Sequence, residues 1–126
     1  MNATVKEWLQ KADRDYATAK RELAVLEQPN YDAVCFHAQQ CIEKLIKGLL
    51  IDLGIAPTKT HDLAYLSQQL SSVCPQWSWP VEDLRFLTRA ALAFRYPGES
   101  ADREEAARSL EIATHLREKL LSLIKA

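Results

Sequence analysis

Apolar positions recur along this chain in steps of three and four residues, and prolines or glycines separate the runs. Val5, Leu9, Ala12, Tyr16, Ala19, Leu23 and Leu26 form a first stripe, which predicts one long helix that opens on a Thr4–Glu7 capping box and ends near Glu27, before Pro29. A second helix is expected from Asn30 or Tyr31. Its inner side carries Val34, Cys35, Ala38, Cys41, Ile42, Leu45, Leu49 and Leu53, with Gly54 as the stop, and so apolar a run marks the most buried helix. After the connector Ile55 to Thr60, the residues Leu63, Leu66, Leu70 and Val73 predict a short third helix capped by Thr60 and closed by Pro75. Pro80 fits the first turn of a fourth helix, which runs through Leu84, Leu87, Ala91 and Phe94 to about Arg95. A fifth is expected over roughly Asp102 to Ile124, with Asp102 and Glu105 in capping-box spacing and Leu110, Ala113, Leu116, Leu120 and Ile124 facing inward. No segment keeps the period-two alternation of a half-buried strand, and no unit repeats. The expected fold is therefore all-α, an up-and-down bundle of about five helices, three of them long, occupying residues 1–126 as a single domain.

The composition agrees with a core of that size and narrows the partners. Of 126 residues, 48% are apolar, enough for one domain to close its own core. Sixteen basic against 17 acidic residues give a net charge of −1, so the overall field supplies no reason for tight nonspecific DNA binding, and any anion site must be local. No apolar run is long enough to cross a bilayer and the first residues lack a signal-peptide core, so a cytoplasmic protein without membrane attachment is expected. Cys35, Cys41 and Cys74 are odd in number, and two lie in a helical apolar pattern, which suits reduced core thiols.

Candidate chemistry sits in three places. Pro97 disfavours helical geometry at Tyr96, and Pro97-Gly98 suits the centre of a type II turn, so one helix ends and another begins around Arg95. That arginine is either a phosphate ligand near the positive end of the last helix or a structural cation at a helix C-terminus, neutralised by Glu99, Asp102 or Glu104. On the second helix His37, Gln40, Lys44 and Lys47 share one stripe, readable as a nucleotide or partner surface or as a solvated face with a Glu43–Lys47 pair. Lys59 and His61, at the entrance to the third helix, are placed either to bind an anion or simply to flank a cap made by Thr60 or Asp62. Cys35, His37 and Cys41 do not make a metal site, since a helix turns His37 about 200° from Cys35. Trp77 and Trp79, between Pro75 and Pro80, are expected to clamp the end of the core rather than stack on bases. Phosphate-loop, zinc-protease and nucleophile-elbow motifs are absent, and no cofactor is expected.

Three blocks taken together, Tyr31 to Lys44, Lys59-Thr60-His61-Asp62-Leu63 and Arg95-Tyr96-Pro97-Gly98, resemble the HEPN domain family, the helical superfamily often found beside minimal nucleotidyltransferases. The resemblance implies an up-and-down bundle, often a homodimer, with functions from nucleotide or RNA binding to metal-independent RNA cleavage. It also implies that a ribonuclease member would carry Arg-x4-6-His. Here Arg95 is followed by Ser100, Ala101 and Asp102 at those spacings, so the histidine is missing. Cleavage by a ribose 2′-hydroxyl needs a proton acceptor as well as charge stabilisation, and Arg95 supplies only the second. The expectation is a noncatalytic nucleotide- or RNA-associated binding module paired with a separately encoded nucleotidyltransferase of the toxin–antitoxin kind. Arg95 would contact phosphate, Tyr96 would stack or orient, Lys59 and His61 would add an anion-binding edge, and His37 and Lys44 are further candidates. A ribonuclease that takes its base from His37 or His61, and a purely structural dimerisation subunit, are the alternatives.

Overall fold

The computed structural model describes residues 2–124, which form five helices and, among the described residues, no strand. They are α1 (Ala3–Leu23), α2 (Tyr31–Asp52), α3 (Leu63–Ser71), α4 (Val81–Ala93) and α5 (Arg103–Leu123). The all-α bundle with three long helices is thus the observed architecture. Helix α2 is its axis: it packs against each of the other four, and it is buried on several sides from Val34 to Leu50. Helix α1 lies along it at close range: a Cβ at Gly48 would sit 3.3 Å from Trp8 Cβ, so a side chain there would require α1 to give by a few tenths of an ångström.

The helix ends follow local chemistry, with some departures from the expected boundaries. Asn2 rather than the Thr4–Glu7 pair caps α1, its Oδ1 accepting from the Val5 N–H at 2.8 Å, because the helix already begins at Ala3. The same helix stops at Leu23, short of Glu27, and leaves Leu26 96% exposed. The reason is the turn to α2: Glu22 Oε1 accepts the Asn30 N–H at 2.6 Å, so the chain must leave helical geometry within a few residues. Leu53 is likewise exposed, since α2 ends at Asp52 and Gly54 takes φ +82°. Asp62, not Thr60, caps α3 by accepting from Ala64 and Tyr65, while Thr60 Oγ1 accepts the Asp62 N–H. That helix finishes at Ser71, which leaves Val73 exposed beyond it. Pro80 precedes the first residue of α4 as its N-cap, and α4 ends at Ala93 rather than Arg95. The Asp102–Glu105 capping box at the start of α5 is present in both directions.

The main core joins Ile42, Leu45, Leu49, Leu66, Leu87 and Leu116, and Trp77 closes one end at 3% exposure, as the clamp reading expects. A smaller cluster of Ala19, Val34, Cys35, Ala90 and Ala106 fills the other end, with Phe94 packed against it. All three cysteines are buried free thiols. Burial pushes the Cys41 thiol up to about 12 and raises Cys35 as well, so neither is a ready thiolate near neutral pH. A disulfide-exchange reagent should therefore modify none of the three within minutes in the native protein and all three after unfolding in urea. A rapid native reaction at any of them, measured by released chromophore, would contradict this packing.

Candidate functional site

The small end cluster fixes the Arg95 turn from both sides. Phe94 packs into it, and on the far side of the turn Asp32 Oδ1, in the first turn of α2, accepts the Ala101 N–H at 2.6 Å. Gly98 between them has φ +101°, a conformation in which a side chain would be strained, so the glycine lets the chain reverse here. The turn is thereby strapped to the start of α2, and the Arg95 guanidinium lies over the Phe36 ring, 5.6 Å from its centroid. Arg95 makes no ion pair and no side-chain hydrogen bond among the described residues, and none of Glu99, Asp102 and Glu104 is in salt-bridge contact with it.

The second wall comes from the connector before α3. Thr88 Oγ1 on α4 accepts the Leu63 N–H at 3.2 Å, and Gln39 Nε2 donates to the His61 carbonyl at 2.9 Å, so His61 is held between α2 and α4. The result is a cavity of about 200 Å³ lined by Phe36, Gln39, Gln40, His61, Ala91, Leu92 and Arg95. Two residues singled out from separate sequence blocks, Arg95 and His61, thus meet at one opening. None of the residues that line it is acidic.

Glu43 stands behind this cavity and organises it. Its carboxylate is 6% exposed and accepts from His61 Nδ1 at 2.8 Å, Lys47 Nζ at 3.0 Å, and the amides of Gln39 at 3.1 Å and Gln40 at 3.3 Å. Burial alone would raise its pKa, but the hydrogen bonds from His61, Lys47 and Gln39 outweigh it and hold the group below the ordinary carboxylate value. The ionised carboxylate keeps a proton on His61 Nδ1. In neutral His61 the unshared pair is then on Nε2, which has no partner among the described residues and belongs to a side chain 65% exposed.

The other candidates lie elsewhere. His37 Nδ1 bonds Asp15 Oδ1 of α1 at 2.8 Å and its ring meets Phe36 edge-on at 5.2 Å; Lys44 Nζ bonds the other oxygen of Asp15. The stripe seen on α2 therefore divides: His37 and Lys44 converge on Asp15, while Gln40 and Lys47 converge on Glu43. Lys59 is exposed on the connector and Tyr96 is 67% exposed at the turn, both outside the cavity lining. Cys35, His37 and Cys41 do not converge, and among the described residues no three metal-ligating side chains do. The residues that sequence reasoning passed over are Asp15, Phe36 and Gln39. Asp15 and Gln39 carry a recognisable signal, since each sits on the inner stripe of its helix, Asp15 between Ala12 and Ala19 and Gln39 between Cys35 and Ile42.

A family model described as HEPN domain matches residues 5–123. The chain belongs to the HEPN domain family. Solved structures similar to this HEPN chain include TT1696 from Thermus thermophilus, with 25% identity, a TM-score of 0.77, and coverage of 94% of this chain and 97% of that one. ST0689, described as an archaeal HEPN homologue, superposes with a TM-score of 0.71 at 23% identity, covering 96% of this chain and 98% of its own, a likeness of fold. Among curated proteins none matches. No helix among the described residues is long and apolar enough to cross a membrane.

Proposed function

We propose that this HEPN chain is a noncatalytic module that binds the phosphate of a nucleotide or RNA at the Arg95 cavity. It would act as a cytoplasmic homodimer with a separately encoded minimal nucleotidyltransferase, in a toxin–antitoxin-like pair. The observation that carries the binding role is Arg95 itself: a guanidinium with no carboxylate partner, braced on Phe36 at the mouth of a cavity that also presents His61 and two carboxamides. A planar fork of five donors in that position suits phosphate oxygens, while the amide nitrogens of Gln39 and Gln40 are spent on Glu43, the His61 carbonyl and Gln39 Oε1, which leaves the Gln40 carboxamide oxygen to accept from a base or sugar. His61 would add a second contact, and Lys59 and Tyr96, outside the lining but close in sequence to His61 and Arg95, would extend it, while His37 with Lys44 docks α1 on α2 through Asp15. The partnership and the homodimer rest on the family resemblance.

Titration with a panel of nucleoside mono-, di- and triphosphates is expected to show binding that weakens about tenfold or more in Arg95→Ala, the loss of one charge-assisted contact, while RNA incubated with metal-free protein stays intact. Absence of binding to every nucleotide and to RNA would overturn the reading and leave the structural dimerisation subunit.

One observation favours a second reading, metal-independent ribonuclease. His61, hydrogen-bonded to Glu43, lines the same cavity as Arg95, so a proton acceptor and a cation for the phosphate would share one opening although the histidine usual after the arginine is missing. Cleavage of RNA in chelator, abolished in both His61→Ala and Arg95→Ala, would establish that reading in place of the first.

A further inference from the structure

Three of the large side chains left exposed by the fold gather between α3 and α4. Tyr65 of α3 and Val81 and Leu92 of α4 are 51%, 38% and 44% exposed, and all three line a groove of about 1010 Å³. Helix α3 packs only on α2 and α4, so its remaining face has no cover among the described residues. Val81 and Leu92 stand eleven residues apart on α4, about 16 Å along its axis, which is the length of three helical turns.

Most polar groups of the lining are already spent inside the protein. Ser67 Oγ accepts from Trp77 Nε1 at 2.8 Å, Ser71 Oγ donates to the Gln68 carbonyl at 3.0 Å, and Thr88 Oγ1 donates to the Leu84 carbonyl at 3.1 Å. Trp79 Nε1 donates to Asp83 at 3.2 Å, and the one carboxylate in the lining, Asp62, is committed to capping α3. An apolar surface can therefore cover these groups without orphaning them.

The two cations of the lining are different. Arg85 and Arg89, exposed on the α4 wall one turn apart, make no ion pair and no side-chain hydrogen bond among the described residues. Arg89 also borders a second pocket with Glu99 and Glu105, but neither is in salt-bridge contact with it, and Glu105 is committed to the α5 capping box. Like charges four residues apart on a helix repel, and carboxylates brought against them from outside relieve that repulsion. The surface complementary to this groove is an apolar ridge with acids along one flank.

We propose that the groove is the docking site for an acidic amphipathic helix of a partner protein. About three turns of that helix lie between α3 and α4; apolar residues at helical spacing rest on Tyr65, Val81 and Leu92, and carboxylates on one flank pair with Arg85 and Arg89. A nucleic-acid strand suits the same charges less well, because the walls keep few free donors or acceptors for bases and sugars. Docking uses no contact with Arg95, so its fate is separate from that of the proposed phosphate site.

The test is a selection of phage-displayed random peptides of about fifteen residues, above the length at which isolated helices are marginal, on native protein, followed by titration of the enriched peptides made synthetically. Enriched peptides are expected to carry apolar residues at helical spacing with Asp or Glu on one flank. Their affinity should fall about tenfold or more in Arg85→Gln/Arg89→Gln and in Tyr65→Ser, each with native circular dichroism. It should hold in Lys6→Gln/Arg14→Gln, which removes two exposed charges from α1, a helix that touches neither α3 nor α4. Exchanging the peptide's acids for amides should abolish its sensitivity to the arginine pair. No enrichment, enrichment of peptides without the acidic helical pattern, or binding unchanged in the arginine double variant would overturn the proposal. So would oligouridylate bound through the same two arginines, which would assign the groove to nucleic acid, or a native dimer that dissociates in Tyr65→Ser, which would assign it to a second copy of this chain.

Discussion

Replacing Glu43 with alanine is expected to lower the unfolding free energy by about 3 kcal/mol, near the low end for breaking a buried ion pair by removing one partner. The loss stays at that low end because His61, one of the partners, is 65% exposed and its pairing is screened by solvent. Lys47, 11% exposed, would keep its charge without a counter-ion, and the amides of Gln39 and Gln40 would lose an acceptor. Chemical denaturation measures the change; a loss under about 0.5 kcal/mol, the scale of an ordinary surface change, would show that the carboxylate does not hold this region together.

The same group gives the fold an acid limit. Its pKa is lower in the folded protein than in the unfolded chain, so its contribution is complete above the unfolded carboxylate value of about 4.3 and disappears as pH falls through the lower folded value. Native protein should lose stability over that acid range more steeply than Glu43→Gln, which has no carboxylate to protonate. Nucleotide binding should weaken in the same variant even at neutral pH, because His61 loses the partner that orients it.

Trp77→Ala carries the other large effect, a loss of about 3–5 kcal/mol, the range for deleting a buried tryptophan. Its side chain is 3% exposed, closes the end of the main core, and donates from Nε1 to Ser67 Oγ at 2.8 Å. Trp77→Phe restores most of the volume but not the hydrogen bond, so it should fall between native and alanine in a urea titration. Trp79→Ala should cost less, since that ring is only partly buried and lies on the outer side of the pair. Equal losses at the two positions would contradict the assignment of Trp77 as the clamp.

These two residues show how far a one-dimensional pattern reaches. Trp77 was legible because a proline-bounded tryptophan has few destinations other than the end of a bundle, and the α2 stripe was legible because its apolar residues keep helical spacing from Val34 to Leu49. Capping at Asp102 was legible because both partners are local. The end of α1 was not, since it depends on Glu22 reaching across the turn to Asn30, and Leu26 kept the helical spacing after the helix had ended.

Of the candidate site, the arginine and the histidine were visible as separate motifs, but nothing in their spacing brings them together. That requires Thr88 to dock the start of α3 on α4, Gln39 to hold the His61 carbonyl, and Asp32 to strap the Arg95 turn to α2. Glu43 was readable only as half of a helical pair with Lys47, a pair the structure contains; its contact with His61 joins α2 to the connector and leaves no periodic trace. Asp15 shows a signal that was available, a carboxylate on an inward stripe, which in a helix packed against a lysine and a histidine is a bridge between helices.

The most direct test of the proposed binding site is an amide and side-chain NMR titration with the tightest nucleotide of the panel. Saturable shifts are expected at Phe36, Gln39, Gln40, His61, Leu92 and Arg95, and they should disappear in Arg95→Ala with the rest of the spectrum preserved. Shifts centred elsewhere on the bundle, or the same shifts surviving in Arg95→Ala, would contradict a phosphate site at this cavity.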